Sequence, residues 1–105
     1  MVKESDIQNA ILDMLIKHPK VSHAHVMTTG KIQGRGGHWI TLGYPGVPDI
    51  IGMTKQGRFF AIEVKKPKEK PTQKQLEYLE MVDDNGGLSD WVTCVEDAEA
   101  LINAT

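Results

Sequence analysis

Asp49, Glu63 and Lys65 are the residues of this 105-residue chain whose types and spacing point most directly to chemistry. Phe59-Phe60-Ala61-Ile62-Glu63-Val64 is apolar at five of its six positions, the pattern of a central strand buried on both faces. A charge within such a strand costs several kcal/mol unless something compensates it. A three-residue loop at Lys55-Gln56-Gly57, with Gly57 in the left-handed position, sets the register of a hairpin that places Asp49 directly opposite Glu63. Cross-strand partners project to one face with their Cβ atoms about 4.5–5.5 Å apart, and Lys65, two residues beyond Glu63, points the same way. Two bare carboxylates at that separation repel, and a divalent cation between them resolves the conflict. Mg²⁺ suits the pair because it takes one or two carboxylates and keeps waters or phosphate oxygens as its other ligands. A lysine beside it can orient or help deprotonate an attacking water, or stabilise charge growing on a phosphoryl transition state. Two plainer readings stay open at this point. Glu63 and Lys65 could lie on the surface of an edge strand with Asp49 capping the loop, or could form a same-face ion pair.

The elements that would position these groups follow from the pattern along the chain. Residues 4–18 read as an amphipathic helix, with Ile7, Ala10, Ile11, Met14 and Leu15 on one face, Ser5 and Gln8 as a capping box, and Pro19 as its end. Residues 21–33 read as extended, Gly34-Arg35-Gly36-Gly37 as a turn and residues 38–42 as another strand. The Gly43–Pro48 segment, with two prolines and two glycines, reads as a loop before the hairpin strands 49–53 and 58–64. A second helix covers residues 72–85, with Leu76, Leu79 and Val82 facing inward and Gly86-Gly87 closing it. A strand at 91–95 and a helix at 97–102 complete the chain. This is one α/β domain over residues 1–105, a mixed sheet flanked by helices in the order α-β-β-β-α-β-α.

Composition narrows the function classes. The total of 12 Lys and Arg against 14 Asp and Glu is nearly balanced, but its distribution is not. Residues 54–82 carry seven basic and four acidic side chains, and residues 83–105 carry six acids and no Lys or Arg. The local potential that a polyanion meets is therefore basic around the hairpin and its following loop. Cys94 is the only cysteine, which excludes an internal disulfide framework and a Cys-rich zinc module and fits a reducing, cytoplasmic compartment. No apolar run is long enough to span a membrane.

Gly46-Val47-Pro48-Asp49, followed after thirteen residues by Glu63-Val64-Lys65, resembles the PD-(D/E)xK nuclease motif. The extended pattern adds a basic, Pro-containing loop and a Thr-x-x-Gln opening a helix, Thr72 to Gln75, and is similar to that of the virus-type replication–repair nuclease (VRR-NUC) family. The likeness runs from the N-terminal helix to the last helix. It implies a restriction-endonuclease-like core and Mg²⁺- or Mn²⁺-dependent hydrolysis of DNA phosphodiesters. Asp49 and Glu63 would be metal ligands with the Val64 carbonyl, Lys65 the catalytic lysine, and Gln75 the motif glutamine reaching the site. The family's first-helix glutamate falls on Glu4. Small stand-alone members resemble Holliday-junction resolvases that act as homodimers, and the family implies a bacterial or phage-infected host cell and a role in DNA repair.

For Gln75 the residues alone leave two roles, a capping box with Thr72 and a contact in the site, with Gln73 as the other glutamine in range. Lys66, Lys68, Lys70 and Lys74 follow the site and could hold phosphates, presented by a loop that Pro67 and Pro71 stiffen; Arg35 at the Gly-rich turn could do the same. His23 and His25 share one face of a strand but have no third ligand at zinc spacing. Trp39 and Trp91 read as core, with base stacking the other role for Trp39, and Cys94 as a small buried hydrophobe in a strand. Met14, Ile16, Val21 or Tyr44 could supply a dimer interface, since a C2 pair of sites makes the two symmetric cuts that resolving a four-way junction requires. A non-catalytic DNA-binding module, or a flap or restriction-type nuclease, is the alternative.

Overall fold

A computed structural model describes residues 2–27, 30–42 and 46–105, and residues 30–33 and 39–42 by their backbone. Tyr44, the first residues of the Gly43–Pro48 loop and the Trp39 side chain lie outside what is described. The elements run α1 (Glu4–Lys17), β1 (Val21–Val26), β2 (Gly30–Gln33), β3 (Trp39–Leu42), β4 (Ile50–Thr54), β5 (Phe59–Val64), α2 (Gln73–Asp84), β6 (Leu88–Val92) and α3 (Val95–Asn103). Four strands form one mixed sheet in the order β1-β4-β5-β6, with β5 and β6 parallel and the other pairs antiparallel. Without β2 and β3, which pair with each other in a separate two-stranded sheet, the order is the expected α-β-β-β-α-β-α. The extended stretch at 21–33 is thus two strands in two sheets rather than one.

The hairpin of β4 and β5 has the expected register. Ile50 pairs with Ile62, Ile51 with Ala61, Gly52 with Phe60 and Met53 with Phe59. Gly57, at φ +84, takes the left-handed position that a three-residue loop needs. Strand β5 is buried at every position from Phe60 to Val64, as a central strand with helices on both faces should be. Phe60, Ile62 and Val64 point into the larger core with Ile11 and Leu15 of α1 and Ala98 and Ile102 of α3. Ala61 points to the opposite face, where Leu79 and Val82 of α2 cover it. Alternation therefore places Glu63 on the α2 face.

A cap, a strand boundary and a helix face differ from the sequence pattern. Helix α1 begins at Glu4, as its periodicity predicts, but Ser5 does not cap it. Lys3 is its N-cap, and the Lys3 N–H donates to Asp6 Oδ2 at 3.3 Å, so Ser5 is a helical residue and caps nothing. Strand β6 starts three residues early, at Leu88, because Gly86 (φ +92) turns the chain sharply out of α2 and brings Leu88 directly beside Phe60. Cys94 consequently lies beyond the strand, half-buried as the N-cap of α3, not within an apolar strand. Leu76 is 39% exposed and so does not face inward. Only the Leu79–Val82 side of α2 meets the sheet. Trp91 packs against the small core under α2. Among the described residues, no helix is long and apolar enough to cross a membrane.

Candidate active site

The main-chain ladder between β4 and β5 ends at the pair Ile50 and Ile62. One residue further, a side chain takes over from the backbone, and Val64 N–H donates to Asp49 Oδ2 at 2.8 Å. That bond fixes Asp49 at the mouth of the hairpin, where the register sets it opposite Glu63 and its charge acts on the Glu63 carboxyl. Pro48 is fully buried behind it. Gly46 (φ +80) lets the loop lie flat on the first turn of α2; a Cβ there would stand 2.5 Å from the Lys74 carbonyl oxygen. The Gly-x-Pro-Asp sequence is therefore clamped between the sheet and α2.

Glu63 is 2% exposed. Its Oε1 accepts from Gln75 Nε2 at 3.3 Å, and its Oε2 is buried with no hydrogen-bond partner. Burial first, and then the neighbouring Asp49 carboxyl, push its carboxyl up to about 9. Gln75 plays both roles that its sequence context left open. Its Oε1 accepts from Thr72 N–H at 2.8 Å, its own N–H donates to Thr72 Oγ1 at 3.2 Å, and the remaining amide hydrogens turn to Glu63. Gln73 is exposed.

Lys65 is half-buried just past the end of β5, and its N–H donates to the Val92 carbonyl at 2.9 Å. Its charge acts on both Glu63 and Glu4. The first turn of α1 thus reaches this end of the sheet. Burial, and next the charge of Asp49, raise the Glu4 carboxyl above its ordinary value, opposed by Lys65 and Lys66. Of the charges acting on Glu4, that of Glu69 has no counterpart in the sequence motif. Glu69 also pairs with Lys66 at 3.5 Å.

The fit to a cation rests on Glu63. A buried carboxylate oxygen without a partner is rare in folded proteins, and a positive ion there would satisfy it. The two carboxylates and the Val64 carbonyl are hard oxygen donors of the kind Mg²⁺ and Mn²⁺ take. Among the described residues, no three His, Cys, Asp or Glu side chains are gathered closely enough to hold a metal ion. Glu4 thus stands in electrostatic range of the pair without closing a three-carboxylate cage.

The basic residues divide. Lys66 is tied to Glu69, while Lys68, Lys70 and Lys74 are exposed along the loop and the start of α2. Lys68 sits at φ 77 in the turn closed by Glu69 N–H donating to the Lys66 carbonyl at 3.0 Å, a left-handed position that ordinarily belongs to glycine. Arg35 is exposed at the tip of the β2–β3 hairpin. The acidic last segment is not remote from the site, because it contributes β6, with Trp91 beside Glu63. Its six carboxylates, however, are all exposed. Sequence spacing missed the packing of Gly46 on Lys74, although the glycine of Gly-x-Pro-Asp was its signal. Compared with known families, residues 41–95 match the model of the VRR-NUC domain. Searches of the curated proteins and of the solved structures each returned no significant match.

Proposed function

The chain belongs to the VRR-NUC domain family and carries a nuclease domain, and from that premise we propose that it is a divalent-cation-dependent endodeoxyribonuclease acting on branched DNA. The observation that carries this reading is the buried, unpartnered Glu63 Oε2 beside Asp49. A cation between them would satisfy that oxygen and relieve the repulsion of the two carboxylates at once.

Asp49, Glu63 and the Val64 carbonyl would hold the cation, Mg²⁺ or Mn²⁺, with Glu4 outside them. Bound there, it supplies a Lewis acid for the scissile phosphate and acidifies a water molecule. The protein's own groups do the rest. Val64 N–H holds Asp49, and Gln75 holds Glu63 by Oε1 so that Oε2 stays free. The Lys65 ammonium, on the side of both carboxylates, orients the attacking water or offsets charge growing on the phosphate oxygens. Lys68, Lys70 and Lys74 attract the backbone without reading its sequence, and Arg35 adds a contact from the hairpin tip.

Recognition by charge and shape favours branched substrates, and a four-way junction needs two symmetric cuts, which a homodimer supplies. Of the apolar residues considered for its interface, Val21 is buried and Met14 packs on the core, so neither is available; Ile16 is 63% exposed and is. We place the activity in the cytoplasm of a bacterial or phage-infected cell, consistent with the lone Cys94.

The test is cleavage of linear duplex, single-stranded, flap and four-way-junction DNA with Mg²⁺, Mn²⁺ or EDTA. Symmetric nicking of the junction is expected, absent with EDTA and in Glu63→Ala, and slowed about 10²–10³-fold in Lys65→Ala. Cuts confined to the flap would make it a flap nuclease. Binding without cleavage of any substrate would overturn the enzyme reading in favour of a DNA-binding module.

A further inference from the structure

Among the described residues, the face of the sheet that bears Asp49 and Glu63 is covered over only half its width. Helix α2 packs on β5 and β6. Helix α1 packs on β1 from the opposite face, where Ala24 and Val26 join the larger core. On the α2 side, the registers order the side chains in rows across the strands. Asp49 and Glu63 head the first row, and Met27 N–H donates to the Asp49 carbonyl at its β1 end. The second row is His25, Ile51 and Ala61, and the third is His23, Met53 and Phe59. Rows on one face lie about 6.6–6.8 Å apart.

The β1 side of these rows is open. His23 and His25 are both exposed, their rings 7° from parallel with centroids 6.0 Å apart. Met53 is 36% and Phe59 39% exposed. A bulge after Val21 shifts the register of β1, and this shift is what sets both imidazoles on the same face as the carboxylates. Among the described residues, these histidines join no metal-binding group. Neither β1 nor the hairpin between Ile50 and Ile62 carries an acidic residue; their charged side chains are Lys55 and Arg58, both exposed and both cationic. A strip of two imidazoles, a phenyl ring and a thioether, with no carboxylate on its own strands between Ile50 and Ile62 or in β1 and in line with the Asp49–Glu63 site, has the chemistry of a stacking platform for unpaired bases.

We propose that this strip, His23 and His25 with Met53 and Phe59, binds the single-stranded segment of the substrate next to the scissile phosphate. The proposal rests on the nuclease reading of the Asp49–Glu63 site and adds to it an affinity for unpaired nucleotides beside the cut, such as those of a flap or of a branch point that opens.

Binding measured in EDTA, where no cutting occurs, separates this proposal from the activity itself. The full chain and its His23→Thr/His25→Thr and His23→Phe/His25→Phe variants are titrated against fluorescein-labelled oligothymidylate, a flap and a blunt duplex. Threonine suits a strand, and phenylalanine keeps a stacking face. The threonine variant is expected to bind oligothymidylate and flap about tenfold more weakly and the duplex equally well, with the phenylalanine variant restoring both. Unchanged oligothymidylate affinity, an equal loss on duplex, or no restoration by phenylalanine would overturn the proposal. So would conversion of a dimer to a monomer by the threonine pair in sedimentation, since a second copy would then be the occupant. If the protein cleaves nothing yet shows the expected binding pattern, the nuclease reading fails and the platform stands.

Discussion

Gln75 donates its amide to Glu63 Oε1 at 3.3 Å while the carbonyl oxygen of the same amide accepts from Thr72 N–H. One side chain thus starts α2 and orients the buried carboxylate, which ties helix initiation to the geometry of the site.

The two roles separate by mutation. Thr72→Ala removes the cap alone and should lower stability by about 1 kcal/mol, leaving the cleavage rate of folded protein unchanged. Gln75→Ala should show a similar loss of stability together with a fall in activity or metal affinity of about 10–100-fold, the usual effect of removing a group that orients a metal ligand. Urea denaturation alongside cleavage kinetics checks both. A Gln75→Ala variant that loses stability alone would confine this residue to capping.

Stability of the cation-free protein should depend on pH through Glu63. Burial and the neighbouring Asp49 push its carboxyl up to about 9, against 4.5 in the unfolded chain. Between those values the folded state holds a proton that the unfolded state lacks. The stabilisation is therefore complete below about 4.5 and is lost as pH rises towards 9, with a slope of at most about 1.4 kcal/mol per pH unit for one proton. Denaturation midpoints in EDTA should fall from pH 5 to pH 9. Glu63→Gln should remove most of that slope, and saturating Mg²⁺ should flatten it by keeping the carboxylate ionised.

Gly46→Ala should damage the site through the backbone. The added Cβ would meet the Lys74 carbonyl at 2.5 Å, and φ +80 already disfavours an L-residue. The atom it meets is backbone, not the end of a flexible side chain that could move aside. A loss of about 1–3 kcal/mol is expected, with cleavage falling further than stability because Asp49 lies three residues on. Thermal melts and cleavage rates measured below the melting range test this.

Lys68→Gly should act in opposite directions on stability and binding. Relief of the left-handed strain at φ 77 is worth about 1–2 kcal/mol, offset in part by the extra freedom of glycine in the unfolded chain. The fold should gain up to about 1 kcal/mol while DNA affinity falls and the salt dependence of binding loses about one unit of slope. Equal affinity would remove Lys68 from the DNA-contacting set.

The hairpin was legible because its information is local. Gly57 selects the loop, the loop sets the register, and the register brings Asp49 to Glu63 without reference to the rest of the chain. The start of β6 and the exposure of Leu76 were not. Gly86-Gly87 signals that α2 ends but not how soon the next strand begins, and helical periodicity marks an apolar face without saying how much of it the sheet will cover.

Sequence alone therefore determined the motif, the central strand, the hairpin register and the uneven distribution of charge, all of which depend on residues near one another in the chain. Tertiary structure decided the rest. It brought Glu4 into electrostatic range of the carboxylates, let Gln75 serve Thr72 and Glu63 together, left Glu63 Oε2 buried without a hydrogen-bond partner, and, among the described residues, left the His23–His25 side of the sheet uncovered. Each of these depends on which elements pack over which strands, and that is settled by the burial of apolar surface between segments far apart in the chain.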